Sequence, residues 1–582
     1  MVRRFLAFGV LLAALVPAPA GASDAADGRD TAKLDRELRE RARAPRGNSR
    51  VILQLDAGAN ADAGIRRLRG LVGRRLASVG GQVAYVPDSA LEALSRIPGV
   101  TGVSLDRAVT GTLERTGATV GSNWVRDTLG FDGTGIGIAV IDSGVANWHD
   151  DLGPTKVTRF VDFVNFQPAA YDDYGHGTHV AGIIAGDGHD SDGRRRGIAP
   201  GATLLVEKVL DASGQGYIHN VIAAIDYAIA NKNALRLRVI NLSVAAGVYE
   251  SYTTDPLTLA AKRAVEAGLV VVSAAGNLGR GPEGKTQYGG IGAPGNAPWV
   301  VTVGASSHNG TTDRSDDTIA GFSSRGPSSI DFQAKPDLVA PGVGIESLAE
   351  EGSTLWNTKP TMRLWGTVST AKEPYLSLSG TSMASPVVSG TIALMLQANP
   401  ALTPNLVKAI LQYTAESHDE VDGLSQGAGF LNARGAVELA RSLAPGANLQ
   451  PPAQRDPTRW SAQVIWGNHR LAGGKLRLNA NAWRSDVLWG SEQAPDGTAV
   501  ALGTQCADTS TTTCDPVAWK PAGDDSDDVV WGSAGVWAAS IGTESDNIVW
   551  GTSALDPADN ILWGTPAIRR RVRLLVAGPP TR

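Results

Sequence analysis

Three separate segments each carry a polar group of the kind that nucleophilic catalysis needs. Asp142 follows a run of apolar residues, while His176 and Ser382 each begin a later, mostly apolar stretch. A serine hydroxyl becomes a nucleophile only when a base removes its proton, and that base needs a third group to fix its tautomer. Taken singly, Ser382 would be a helix cap and Asp142 a turn residue. Their joint occurrence in the order Asp, His, Ser predicts a catalytic triad.

A fourth segment ends another apolar run with a side-chain amide, Asn277. An amide N–H can donate a hydrogen bond to an oxyanion, although an asparagine here would also suit a loop. His179 lies about one helical turn after His176. The two histidines lack the glutamate of the H-E-x-x-H zinc motif, so we expect His179 to be structural and predict no metal site.

These groups need a fold that brings distant segments together. The sequence predicts near-continuous apolar strands at 136–141, 203–210, 239–244 and 269–273, and helices at 176–185, 217–232 and 256–267. Thr254 or Asp255 is expected to cap the last of these helices. Buried strands that alternate with helices are typical of an α/β fold with a doubly wound, mainly parallel sheet. The reactive groups would lie at the carboxyl ends of its strands.

With these four segments in this order, residues 111–445 resemble the subtilisin-like serine peptidases. The resemblance implies that Asp142 orients His176, which acts first as general base and then as general acid. It implies that Ser382 forms the acyl-enzyme, and that Asn277 and the Ser382 backbone N–H form the oxyanion hole. The implied protein is a serine endopeptidase that acts on protein or peptide substrates and requires no cofactor for catalysis.

The resemblance also implies which residues contact the substrate. Two segments would pair with an extended peptide, and a third would form the floor of the primary specificity pocket. The predicted substrate-binding residues are Gly214, Gly216, Ser243, Val244, Ala245, Ala274, Ala275 and Gly276. No acidic residue in these segments marks a pocket for basic side chains, so we expect a broad apolar preference. The long stretch 348–375 is expected to reshape the rim of the cleft.

Structural calcium is common in this family, and Asp151 matches one ligand position. The loop at 186–196 should supply its partners, but its sequence departs from the family pattern. A solvated polar loop is therefore favoured over a calcium site.

The N-terminal part of the chain predicts export and maturation. Residues 1–22 combine two arginines, a short apolar run and small residues, as in a cleaved secretory signal peptide. The apolar run is shorter than a membrane span. A polar leader is predicted at 23–49, followed at 50–110 by a small β-α-β-α-β module with helices at 63–72 and 89–97. This module resembles the family's inhibitory propeptide, which would be cut off between about Asp106 and Thr119; a permanent accessory domain is the alternative.

The C-terminal extension, 446–582, holds nine of the 14 tryptophans. A short repeat, in which two apolar residues precede Trp-Gly, occurs five times, with its tryptophan at Trp466, Trp489, Trp531, Trp550 and Trp563. The repeats favour a small β-rich module with buried indoles, and the alternative is attachment to a cell surface or polysaccharide. Cys506 and Cys514 are predicted to form a disulfide in an exported protein.

Composition excludes several other classes of protein. With 53 Lys+Arg against 58 Asp+Glu the net charge is −5, which argues against a nucleic-acid binder. Two cysteines exclude a disulfide-rich scaffold. An α/β-hydrolase esterase would need its Asp and His after Ser382, and it would leave Asp142 and His176 without a role. The alternative from another class is a non-catalytic adhesion protein that uses the Trp-rich extension.

Overall fold

The computed structural model divides the chain into two compact units, Met1–Val109 and Thr110–Arg582. It describes residues 33–45, 47–76, 80–105, 112–153, 155–281, 284–370, 373–447, 460–473, 476, 480–491, 493–500, 512–516, 530–531 and 547–548. The predicted signal peptide lies outside these ranges. Within them, no helix has the length and hydropathy required to cross a bilayer.

The N-terminal unit is a four-stranded antiparallel sheet with short helices. Its elements are α1 (Arg36–Arg43), β1 (Asn48–Leu55), α2 (Asp62–Arg67), β2 (Leu71–Leu76), β3 (Gly81–Pro87), α3 (Leu91–Ser95) and β4 (Val100–Leu105), with strand order β2-β3-β1-β4. Alternate residues of β1, such as Val51 and Leu53, are buried in its core.

Two predictions for this unit are wrong in detail. The helix expected at 63–72 ends at Arg67, because Arg69 adopts a left-handed φ of 60° and the chain turns back into β2. The leader expected to be solvated contains α1, and Leu34 and Leu38 are buried in the core of the unit. Helix α1 has few apolar residues among many arginines, so its sequence does not show which side packs against the core.

The second unit begins with α4 (Thr112–Thr119) and α5 (Ser122–Trp124) and then alternates strands and helices. Up to the end of its large sheet the elements are β5 (Gly137–Asp142), β6 (Val157–Asp162), α6 (His176–Ala185), β7 (Thr203–Lys208), β8 (Gly216–Tyr217), α7 (Ile218–Asn231), β9 (Leu237–Leu242), α8 (Pro256–Glu266), β10 (Val270–Ala274), β11 (Gln287–Tyr288), β12 (Val301–Ser307), β13 (Thr318–Ile319) and β14 (Leu338–Pro341). The elements that follow are β15 (Ile345–Leu348), α9 (Thr354–Thr358), β16 (Arg363–Leu364), β17 (Tyr375–Leu378), α10 (Thr381–Ala398), α11 (Pro404–Thr414), α12 (Gly423–Gln426), α13 (Ala433–Ser442), β18 (Gln463–Trp466), β19 (His469–Gly473), β20 (Thr512–Pro516), β21 (Val530–Trp531) and β22 (Asn547–Ile548).

The large sheet confirms the predicted α/β class. Its strand order is β13-β12-β10-β9-β5-β7-β6, with β14 also paired to β12, and all pairs except β12–β13 are parallel. Helices α6 and α10 pack together and against the sheet, and α7 packs on α8. The side chain of Asp255 accepts a hydrogen bond from Thr258 N and so caps α8, as the sequence predicts. Because β5, β9 and β10 are parallel neighbours, their carboxyl ends meet at one edge.

The first Trp-Gly repeats belong to the core of this unit rather than to a separate β module. Trp466, Trp483 and Trp489 are at most 5% exposed and cluster with one another next to α11. These three indoles are therefore not available for stacking on a polysaccharide. Cys506 lies outside the described residues, so its disulfide with Cys514 stays a prediction.

Candidate active site

The buried strand β5 delivers a carboxylate to the histidine that begins α6. Asp142 is the last residue of β5 and is fully buried, and His176 is 1% exposed. His176 Nδ1 and Asp142 Oδ1 are 2.8 Å apart. Asp142 Oδ1 also accepts a hydrogen bond from Ser143 N at 2.7 Å. This arrangement lets the carboxylate hold one imidazole tautomer, so that Nε2 is the nitrogen able to take a proton.

A second carboxylate, Asp172, organises the start of α6. Asp172 Oδ1 accepts hydrogen bonds from Gly175 N and Ser143 Oγ, and Oδ2 accepts them from Thr178 N and Thr178 Oγ1. Gly177 N donates to Ser143 Oγ, which closes the network. A carboxylate that binds free N–H groups at a helix start is stabilising there. Asp172 was not predicted from the sequence, because a capping residue is expected directly before the helix and Gly175 holds that position.

Ser382 is the second residue of α10 and is 3% exposed. Its carbonyl accepts a hydrogen bond from Ser243 Oγ at 3.0 Å, and Ser243 Oγ lies 2.9 Å from Ser385 Oγ. The first N–H groups of a helix have no intrahelical acceptor, so the backbone N–H of Ser382 is suited to bind an oxyanion. Helix α10 packs against α6, which brings the serine and histidine segments to the same side of the sheet.

Asn277 is bonded directly to the start of α10. Its Oδ1 accepts hydrogen bonds from Thr381 N and Thr381 Oγ1, both at 3.0 Å. Because the amide oxygen is used in this way, the amide nitrogen is the group left to act as donor. A Cβ built on Gly380 would lie 3.5 Å from Asn277 Nδ2, so the nitrogen faces the turn that leads into Ser382.

The predicted substrate-binding residues lie beside these groups, at strand ends and in loops. Ser243, Val244 and Ala245 follow β9, while Ala274, Ala275 and Gly276 end β10 or follow it. The side chain of Ser243 is buried, and its hydroxyl is hydrogen-bonded to the Ser382 carbonyl and lies next to the Ser385 hydroxyl. Only the backbone of Ser243 is therefore left to bind a substrate. Gly216 begins β8, and Gly214 lies two residues before it. A Cβ on Gly214 would be 2.4 Å from the ring of Tyr174.

The long stretch before Ser382 packs next to the histidine segment. Thr354 N donates to Asp173 O and Leu355 N donates to Tyr174 O, at 2.9 and 3.0 Å. Thr354 Oγ1 also donates to Ala212 O at 2.6 Å. Helix α9 therefore ties the residues just before His176 to the loop that leads to Gly214.

The side chains near Asp151 do not fit a calcium ion. The carboxylate of Asp151 already accepts hydrogen bonds from Asp190 N at 2.7 Å and from the Tyr375 hydroxyl at 2.8 Å. His149 and Asp190 complete a buried group whose candidate ligand atoms lie within 4.8 Å of one another, and His149 Nε2 is 2.8 Å from Pro374 O. Burial raises the pKa of Asp151. Calcium requires about six to eight oxygen ligands, whereas protein donors already engage both Asp151 oxygens.

The sequence of the second unit matches the model of the subtilase family over residues 133–435, which is more than half of the chain. The chain belongs to the subtilase family. This subtilase is 37% identical to serine protease AprX of Bacillus subtilis (strain 168) over 361 residues, which cover 61% of this chain and 78% of the relative. It is 33% identical to subtilisin DY of Bacillus licheniformis over 309 residues, covering 53% of this chain and 93% of the relative.

A solved structure, described as a cold adapted subtilisin-like serine proteinase, is 30% identical to the subtilase, with a TM-score of 0.38; the match covers 52% of this chain and 88% of that one. Membership of the family and the likeness to AprX make this subtilase a serine-type endopeptidase. The predicted enzyme class is thereby confirmed.

Proposed function

We propose that this subtilase is a secreted endopeptidase that cleaves proteins through Asp142, His176 and Ser382. The observation that carries the proposal is the 2.8 Å contact between the buried side chains of Asp142 and His176. Buried carboxylate–imidazole pairs of this kind hold a general base in position. The hydrogen bonds from Thr381 to Asn277 support a joint role for Asn277 and the helix that carries Ser382.

In the proposed mechanism, Ser382 Oγ attacks the carbonyl carbon of the scissile peptide bond while His176 Nε2 takes its proton. Asp142 accepts the Nδ1–H hydrogen bond and stabilises the imidazolium, and it stays ionised. The carbonyl oxygen becomes an oxyanion, which accepts hydrogen bonds from Asn277 Nδ2 and the Ser382 N–H. His176 then donates its proton to the leaving amine, and an acyl-enzyme remains on Ser382. Water then attacks the acyl-enzyme while His176 Nε2 takes its proton, and His176 returns that proton to Ser382 Oγ as the carboxylic acid product leaves.

Hydrolysis of casein and of a quenched peptide by wild type and Ser382→Ala tests this proposal. We expect Ser382→Ala to retain no more than about 10⁻³ of the wild-type rate. Ser389→Ala is a matched control, because Ser389 lies on the same helix and bonds Asn241 rather than a catalytic group. Equal rates for wild type and Ser382→Ala would refute the proposal.

We also propose that residues 1–22 direct export and that the module at 50–110 is a propeptide removed by the enzyme itself. The division of the chain between Val109 and Thr110 supports a cut near this point. Burial of Thr116 and Thr119 in the second unit favours cleavage before them, at about 106–111. The natural substrates are proposed to carry an apolar residue before the scissile bond.

The intact mass of secreted wild type and of Ser382→Ala tests maturation. Wild type is expected to lose the segment up to about residue 110, and the variant is expected to keep it. If both proteins lose the segment, another protease matures the enzyme. If both keep it, the module is not a propeptide cleaved by Ser382.

A further inference from the structure

Three of the Trp-Gly repeats contribute β strands at their apolar residues. In the first repeat β18 forms a hairpin with β19, and its residues Val464, Ile465 and Trp466 are buried. In the third repeat β21 pairs parallel with β11, and in the fourth β22 pairs antiparallel with β8. The third and fourth repeats thus share one structural behaviour, which is the addition of a short strand to a strand of the catalytic domain.

The strand that receives the fourth repeat is part of the predicted substrate-binding edge. Ile548 pairs with Gly216, and Asn547 pairs with Tyr217. Among the described residues, β8 and β22 form a sheet with no further strand. A Cβ on Gly216 would lie 2.3 Å from Val209 O, so only glycine allows the backbone to approach the domain this closely. At Gly216 the edge therefore offers backbone groups alone, which suits an extended segment.

The backbone N–H and C=O groups of an edge can pair with only one added strand at a time. We propose that the fourth Trp-Gly repeat, through Asn547 and Ile548, occupies the substrate-binding edge at Gly216 and competes with extended peptide substrates. This inference rests on the proposed function and on the predicted pairing of Gly214 and Gly216 with substrate. The repeat acts within its own chain as a reversible competitor.

The size of the competition follows from the linkage. A segment that is tethered to its site has an effective concentration set by the tether, and this concentration is in the millimolar range for short tethers. The apparent KM for a competing substrate is multiplied by a factor of one plus the ratio of that concentration to the Kd of the segment. A strand pairing with a millimolar Kd would thus raise KM by about two- to tenfold without changing kcat.

The test uses matured enzyme that keeps its C-terminal extension and the same form of the variant Ile548→Pro. Proline lacks the backbone N–H and does not fit a paired strand, so the substitution should release the edge. Val530→Pro is the matched control, because the same change falls on β21, which pairs with β11 instead. The substrates are a long quenched peptide, which pairs along the edge, and a single-residue ester, which does not need it.

We expect Ile548→Pro to lower KM for the long peptide by about two- to tenfold, with kcat and ester hydrolysis unchanged. Val530→Pro should match wild type. An unchanged KM in Ile548→Pro, or an equal decrease in both variants, would overturn the inference while leaving the proposed function intact.

A readout without catalysis separates the two proposals. In Ser382→Ala protein, we expect amide exchange at Gly216 and Tyr217 to be slower by about fivefold or more than in Ser382→Ala/Ile548→Pro. Equal exchange overturns the inference, whether or not the wild type hydrolyses peptides. Absence of hydrolysis by wild type, together with protected amides, would refute the proposed function and keep the pairing.

Discussion

Replacement of Asp172 by asparagine is a sharp test of how the histidine segment is held. Asp172 is 2% exposed and accepts four hydrogen bonds, two on each oxygen. In Asp172→Asn one oxygen becomes an amide nitrogen, which cannot accept. The hydroxyl of Ser143 or Thr178 can rotate to another acceptor, but one backbone N–H, of Gly175 or of Thr178, loses its partner.

A buried donor without an acceptor costs about 1–3 kcal/mol. Loss of a carboxylate beside a helix N-terminus adds about 0.3–1 kcal/mol. We therefore expect Asp172→Asn to lower the free energy of unfolding by about 1.3–4 kcal/mol. Because α6 begins at His176, we also expect kcat to fall more than KM changes.

Urea unfolding measures the effect, with Ser382→Ala as the background so that no self-digestion occurs. Asp150→Asn is the control, since it makes the same chemical change at an exposed aspartate. A loss of less than about 0.5 kcal/mol in Asp172→Asn, typical of a surface substitution, would refute the assigned role of Asp172.

Three further outcomes follow from buried groups. Asn277→Ala should lower kcat by about 10²–10³, the loss known for a donor of this kind, in steady-state peptide hydrolysis. Trp489→Ala, at a residue 2% exposed, should destabilise the unit by about 3–5 kcal/mol in urea unfolding, whereas Trp365→Ala, at a residue 56% exposed, should not. Glu207 is fully buried, neither carboxylate oxygen has a hydrogen-bond partner among the described residues, and burial raises its pKa well above 4.5. The native state therefore favours the neutral acid, and its stability falls as pH rises from the unfolded pKa towards the native pKa. Glu207→Gln should be more stable than wild type by a margin that grows with pH over this range, measured by thermal unfolding; a constant margin would contradict this.

The catalytic unit was largely predictable because its central elements are apolar without interruption. Helix α6 has the predicted bounds, and β5 and β10 lie within one residue of the prediction. Strand β6 was not predicted because it is an edge strand of the sheet. Its residues Thr158 and Arg159 are exposed, so they interrupt the apolar run. Periodicity finds a strand only where burial imposes a pattern on it.

Contacts between residues far apart in the chain could not be predicted from the sequence. The packing of Trp483 and Trp489 beside α11 joins segments far apart in the chain, so a change in composition at residue 446 suggested a boundary where the core continues. The hydrogen bonds that engage Asp151 come from Asp190 and Tyr375, neither of which lies close to it in the sequence. Local spacing indicates which groups can react, but the surrounding partners depend on the fold.

The most direct test of the central claim is covalent labelling of the matured enzyme with phenylmethanesulfonyl fluoride, followed by peptide mapping in a mass spectrometer. The account predicts one sulfonyl adduct, on Ser382, with loss of activity in proportion to labelling. In His176→Ala brought to the same mature N-terminus, the adduct should be nearly absent, because no base is available to activate the hydroxyl. Full inactivation with the adduct on another residue, or equal labelling of Ser382 in His176→Ala, would contradict the account.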